Sequence, residues 1–210
     1  MSTHRPVLPY DVTLDDGTRL HLRLGSPADR EALIAGFEHL SPESRTSRFF
    51  TAMPRLAPTF VDRLLDIDRS RHVAIAAFDR DRRGEVGDDG FGVGVARYHR
   101  NAEQPTEAEA AVAVIDEYQG RGIGRVLLDA LVAHAFGEGV ETFTAMVLTT
   151  NHAMLHVFAE MGASIEWDPD DRQIVHLRVP IDTEHLERSV LADLLRHSAA
   201  RPAGGSGSSG

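Results

Sequence analysis

The stretch Gln119-Gly120-Arg121-Gly122-Ile123-Gly124 joins two apolar segments of different period. Before it, Ala110-Ala111-Val112-Ala113-Val114-Ile115 is short and β-biased. After it, Val126, Leu127, Ala130, Leu131, His134 and Ala135 recur at helical spacing, so a helix starts within the glycine run. A helix start carries free N–H groups and a partial positive charge, and glycines let an anion approach the backbone closely. The junction therefore suits a phosphate. The dinucleotide fingerprint does not fit, because its third glycine would fall on Arg125 or Leu127. A Walker A loop requires a lysine, and the 210 residues contain none.

Bulk properties bound the remaining possibilities. The length suits one domain with a sizeable core. Without cysteine there is no disulfide, thiolate metal site or cysteine nucleophile, and without lysine there is no Schiff-base chemistry. A net charge of −10 argues against nucleic acid and is compatible with a cationic substrate. No apolar run approaches the length of a membrane span, and the N-terminus lacks the apolar core of a signal peptide, so the cytoplasm is the expected compartment. His152, His156 and Glu160 share one helical face, but that spacing spreads them over about 12 Å. They read as surface residues, and no metal is expected.

Along the chain, residues 1–16 are polar and broken by proline. Leu20, Leu22 and Leu24 alternate in a half-buried strand over 18–24. Ser26-Pro27 and Ser41-Pro42 each supply an N-cap followed by proline at the first helical position, and a further helix is expected over 59–67. Strands over 72–78 and 91–99 flank a loop rich in Asp, Arg and Gly. Past the glycine run come a strand over 142–148, a helix over 151–161 closed by Gly162, and a hairpin of 163–167 with 173–179. This divides the chain into an N-terminal segment (1–16), a main domain (17–180), an extra helix near the C-terminus (181–200) and a flexible Gly/Ser tail (201–210).

The pattern Gln119-x-x-Gly122-x-Gly124 after a strand and before a helix resembles the pyrophosphate-binding motif of the GNAT N-acetyltransferases. The order of elements over roughly Val12 to Val179 is similar too. The resemblance implies an α/β fold, with a central, mostly antiparallel mixed sheet flanked by helices. It also implies acetyl-CoA as acyl donor, with an amine as acceptor. The backbone from Gln119 through Gly120, Arg121, Gly122, Ile123 and Gly124 to Arg125 would then hold the pyrophosphate. Val112, Ala113 and Val114 would present main chain to the pantetheine arm and thioester. Asn151, at the start of the next helix, would contact the pantetheine, although asparagine is also favoured there as a plain N-cap. Further along that helix many members carry a tyrosine that protonates the leaving thiolate. Phe158 stands in its place and has no proton to give.

Two more segments, Leu40-Ser41-Pro42-Glu43-Ser44-Arg45 with Arg48-Phe49-Phe50, and Leu65 to Ala74, resemble the GNAT domain of bacterial Pat-type protein lysine acetyltransferases. In that group a glutamate matching Glu109 is the proposed base, and Glu107 is the alternative if the register slips. A carboxylate near an apolar strand end is raised towards neutrality by desolvation, which suits a base. The expected acceptor is therefore a protein lysine, for instance on an acyl-CoA synthetase. A small amine (polyamine, amino acid or aminoglycoside) and a catalytically silent acyl-CoA sensor are the alternatives.

Overall fold

The computed structural model describes residues 8–83 and 89–182, and beyond them only positions 184, 186, 189 and 192. The helix expected over 181–200 and the Gly/Ser tail lie almost wholly outside the described residues.

Eight strands form one sheet in the order β1-β2-β3-β4-β5-β6-β8-β7. They are β1 (Tyr10–Thr13), β2 (Arg19–Leu24), β3 (His72–Asp79), β4 (Phe91–Arg100), β5 (Glu107–Val114), β6 (Thr142–Leu148), β7 (Ser164–Trp167) and β8 (Ile174–Pro180). All neighbours are antiparallel except β5 and β6. The mixed, mostly antiparallel sheet flanked by helices is the fold class the motif implied. Strand β1 lies in the stretch read from sequence as a polar lead-in. Four residues with only Val12 buried give no period to detect.

The helices are α1 (Arg30–Glu38), α2 (Pro42–Phe49), α3 (Pro58–Leu65), α4 (Ile123–Gly137) and α5 (His152–Glu160). The Ser26-Pro27 start opens a short 3₁₀ turn, Pro27–Asp29, ahead of α1, and the Ser26 N–H is held by Asp29 Oδ2 at 2.8 Å. Ser41 caps α2 as expected, its hydroxyl accepting from the Ser44 N–H at 3.1 Å. Among the described residues, no helix is long and apolar enough to cross a membrane.

The two faces of the sheet follow from strand alternation. Tyr98 on β4 reaches His134 of α4, its hydroxyl 3.4 Å from Nδ1, so from residue 95 onwards, past the register shift opposite Ala77 and Phe78, even-numbered residues of β4 face α4. Arg97 donates to the Leu64 carbonyl of α3 at 2.9 Å, so odd-numbered residues of that stretch face α1–α3. In the paired register, Glu109, Ala111 and Ala113 of β5 lie opposite His99, Arg97 and Val95 and share that second face. The core fills the α4 side, with Ile75, Ala96, Tyr98, Leu127, Leu131 and Phe143 all essentially inaccessible. Helix α4 is apolar around most of its circumference because it is buried on nearly every side, not on one stripe.

Candidate active site

Strands β5 and β6 pair only at Glu107–Glu109 against Thr142–Thr144. Beyond that point β5 stays bonded to β4 through Val114, and β6 stays bonded to β8 through Leu148. The two strands therefore part, leaving a wedge bordered by a free edge of β5 over residues 110–114, roughly 16 Å at about 3.3 Å per residue. Ile115 donates its N–H to Val93 and the Glu107 carbonyl accepts from Asn101, so odd-numbered residues of β5 bond towards β4. By alternation the N–H and C=O groups of Val112 and Val114 turn into the wedge, while those of Ala113 are taken by β4. Backbone polar groups on such an edge need partners.

At the wide end of the wedge the chain makes a 3₁₀ turn, Asp116–Tyr118, that sequence periodicity did not reveal. It is held from several sides. Tyr118 is buried and its hydroxyl donates to Asp79 Oδ2 at 2.7 Å. The Gln119 side-chain amide donates to the Val114 carbonyl at 3.0 Å and to Ser44 Oγ at 3.2 Å, tying the loop to β5 and α2. Gly120 and Gly122 have φ of +75° and +83°, a left-handed backbone that disfavours any side chain. A Cβ at either would meet nothing within 4 Å, so the space over the loop is open. Gly122 is the N-cap of α4, and no acidic residue lies in the first turn of that helix. The free N–H groups of the helix start and its positive dipole end are thus available to an anion.

The side chains of the loop differ from its backbone in use. Arg125 is occupied by Asp129 at 2.9 Å and by Glu160 of α5 at 3.3 Å, so its contribution towards a ligand is its N–H. The Arg121 guanidinium bonds the Glu117 carbonyl at 3.1 Å and lies 4.6 Å from the centre of the Tyr118 ring. Asn151 caps α5, accepting from the Met154 N–H at 3.2 Å, which is the plain structural role asparagine has at that position. Phe158 is in the core at 2 % exposure. His156 pairs with Glu160 at 3.3 Å on the exposed face of α5. Among the described residues no group of three or more His, Asp or Glu side chains is placed to hold a metal ion.

Glu109 sits on the last residue pair before β5 and β6 part, and its residue is exposed. The strand that would have covered it, β6, turns away there. Glu107 is engaged by Arg178 of β8, and that guanidinium holds its carboxyl below the usual range. Sequence reasoning missed what surrounds Glu109 on its own face. His99 lies opposite it and stacks on His72, ring centres 3.7 Å apart. His72 Nδ1 donates to the Asp66 carbonyl at 2.7 Å, which leaves Nε2 as the acceptor facing Arg97 Nη1 at 3.5 Å. Burial, then the neighbouring His72 and Arg97, push His99 down to about 4, so both rings are neutral at pH 7. The alternation Val95-x-Arg97-x-His99 was the available signal, but it becomes meaningful only once the register is known.

A split parallel pair inside an antiparallel sheet, with a glycine-rich helix start at the wide end, defines an acyl-CoA-dependent transferase fold. Residues 40–163 match the Acetyltransferase (GNAT) family, and the chain belongs to that family. The chain is 32 % identical over 165 residues to the acetyltransferase PA5475 of Pseudomonas aeruginosa, covering 78 % of this chain and 86 % of that protein. It is 31 % identical over 188 residues to the acetyltransferase Pat of Mycolicibacterium smegmatis, covering 88 % of this chain but only 54 % of that protein. The crystal structure of the GNAT domain of S. lividans PAT superposes with a TM-score of 0.71 at 32 % identity, covering 82 % of this chain and 96 % of that one. The chain is an N-acetyltransferase, and acetyl-CoA is the donor its family uses.

Proposed function

We propose that this chain transfers acetyl from acetyl-CoA to the side-chain amine of a protein lysine, with Glu109 as the base. The observation that carries the reading is the exposure of Glu109 at the narrow end of the wedge. A lysine presented on a folded partner needs an acceptor site open to bulk, and an exposed carboxylate there is reachable by a long side chain. The Pat-like segments and the likeness to Pat proteins support the same acceptor class.

In this reading the backbone of Gln119, Gly120, Arg121, Gly122, Ile123, Gly124 and Arg125 holds the pyrophosphate, and Val112 and Val114 bond the pantetheine arm. One of those two amides faces the thioester oxygen, where it stabilises the charge that develops on attack. A lysine amine has a pKa of about 10.4 and arrives as ammonium, so Glu109 takes its proton directly or through water. The amine attacks the thioester carbon, the C–N bond forms and the C–S bond breaks. The thiolate leaves as such or takes a proton from water, its own pKa of about 8.5 making this tolerable. Buried Phe158 has no part in that step.

The test is incubation with acetyl-CoA and either a lysate or a purified acyl-CoA synthetase, read by mass spectrometry. The chain has no lysine, so every acetyl-lysine signal belongs to the acceptor. Enzyme-dependent labelling of a few sites is expected. Labelling at background alongside efficient turnover of a small amine would overturn the protein-lysine acceptor.

A further inference from the structure

Between helices α1–α3 and the sheet lies a cavity of about 120 Å³. Its wall is mostly aliphatic and small, including Ala74, Ala76, Gly92, Gly94 and Ala113. Two guanidinium groups also line it, Arg48 from α2 and Arg97 from β4. Arg97 is only 5 % exposed. Among the described residues its hydrogen bonds run through Nη1 alone, to a carbonyl and towards a neutral imidazole, and no carboxylate is at ion-pair distance. Arg48 makes no hydrogen bond or contact ion pair among the described residues; the Glu109 carboxylate attracts its charge from a greater distance, and the Phe49 ring lies 5.0 Å away. The remaining acidic group on the cavity wall, Asp29, is committed to Arg23 at 2.7 and 2.9 Å and to the Ser26 N–H.

Buried charges in proteins are paired, because an unpaired ion loses its hydration without compensation. Arginine keeps its proton under almost any burial, so it does not escape by neutralising. Two guanidiniums face one cavity, and the one carboxylate that acts on them, Glu109 towards Arg48, is exposed; buried Arg97 has no carboxylate partner among the described residues, so the cavity has a positive charge left for an anion from outside the fold. The apolar remainder of the wall sets what that anion is attached to. Dry cavities of roughly 150 Å³ accept benzene-sized molecules, so this one suits an apolar body of about five carbon atoms.

We propose that the cavity is a binding site for a carboxylate carried on a short hydrocarbon stem, its charge held by Arg97 and Arg48 and its stem by the small residues of β3, β4 and β5. Arginine forks match carboxylates in geometry as well as charge. The same chemistry comes from two sources, a free short-chain acid or the distal carboxylate of a dicarboxylic acyl-CoA. The binding arm of the test needs no acceptor amine, so it stands or falls independently of the protein-lysine reading.

Calorimetry on the full chain, without acetyl-CoA, tests it with pentanoate against pentanamide, which has the same shape and no charge. Pentanoate is expected to bind and pentanamide to bind at least 10-fold more weakly. Arg97→Met and Arg48→Met are each expected to weaken pentanoate about 10- to 100-fold, as loss of a charge-assisted bond does, with Arg97→Lys in between. Arg48, being less deeply set than Arg97, keeps the test informative if Arg97→Met fails to fold. Equal binding of acid and amide, binding of neither, or undiminished pentanoate binding in a folded Arg48→Met would overturn the proposal. The source is then separated by thiol release. Faster turnover of glutaryl-CoA than of pentanoyl-CoA, with inhibition by pentanoate, assigns the site to the acyl chain. No preference between the two donors assigns it to the free acid.

Discussion

Replacing Gly122 by Glu separates backbone strain from charge at the loop over α4. Gly122 has φ +83° and a Cβ there would touch nothing, so the cost to the fold is conformational only. Forcing an L-residue into the left-handed region costs about 1–2 kcal/mol. A carboxylate at a helix N-terminus returns about 0.3–1 kcal/mol of that. For a chain of this size a loss of about 1 kcal/mol lowers Tm by about 2–4 °C, so the variant remains folded at room temperature. The effect on binding is larger. A carboxylate about 5 Å from one charge of a pyrophosphate, at an effective dielectric of about 20, is repelled by about 3 kcal/mol. That amounts to about two orders of magnitude in Kd. Gly122→Ala carries the same strain without the charge and is expected to bind acetyl-CoA far better than Gly122→Glu. The assay is calorimetric titration of both variants, with thermal unfolding alongside. A folded Gly122→Glu with undiminished affinity would refute the placement of the pyrophosphate over this loop.

Three further outcomes follow from the geometry. Glu109→Gln keeps shape but cannot take a proton, so kcat should fall by about 10²–10⁴-fold with acetyl-CoA affinity unchanged, and wild-type turnover would remove the base from Glu109. Tyr118→Phe deletes the bond to Asp79, a residue only 8 % exposed, and should destabilise the fold by about 1–3 kcal/mol in urea unfolding; an unchanged midpoint would show that the loop is not anchored there. Burial holds His72 below its ordinary value of 6.5 in the folded chain, so the unfolded state takes up protons first as the medium is acidified. Stability is then full above about pH 6.5 and declines below it, and His72→Gln should flatten that decline when unfolding is measured from pH 7 to pH 5.

The parts of the fold that carry their own local signal were legible in the chain. The β5–loop–α4 junction announced itself because a change of hydrophobic period coincided with glycines, and the Ser-Pro pairs marked two helical starts. Strand β1 was hidden by its length, and the 3₁₀ turn at Asp116–Tyr118 by the strong glycine signal next to it. Exposure at Glu109 could not be read, since it depends on where β6 leaves β5, a tertiary event that no residue near Glu109 records. The Arg48, Arg97, His72 and His99 group was invisible for a related reason. These residues come from three separate elements and meet only through the register of β3 with β4 and the docking of α2 and α3.

In the proposed mode of binding, main-chain groups on the free edge of β5 receive the donor, and backbone amide hydrogen exchange measures this residue by residue. The amides of Ala111 and Ala113, bonded towards β4, should exchange slowly with or without acetyl-CoA. Those of Val112 and Val114, turned into the wedge, should exchange quickly in the free protein and become protected when acetyl-CoA is saturating. Equal exchange at Val112 and Val114 in the two states, with binding verified in the same sample, would contradict the account.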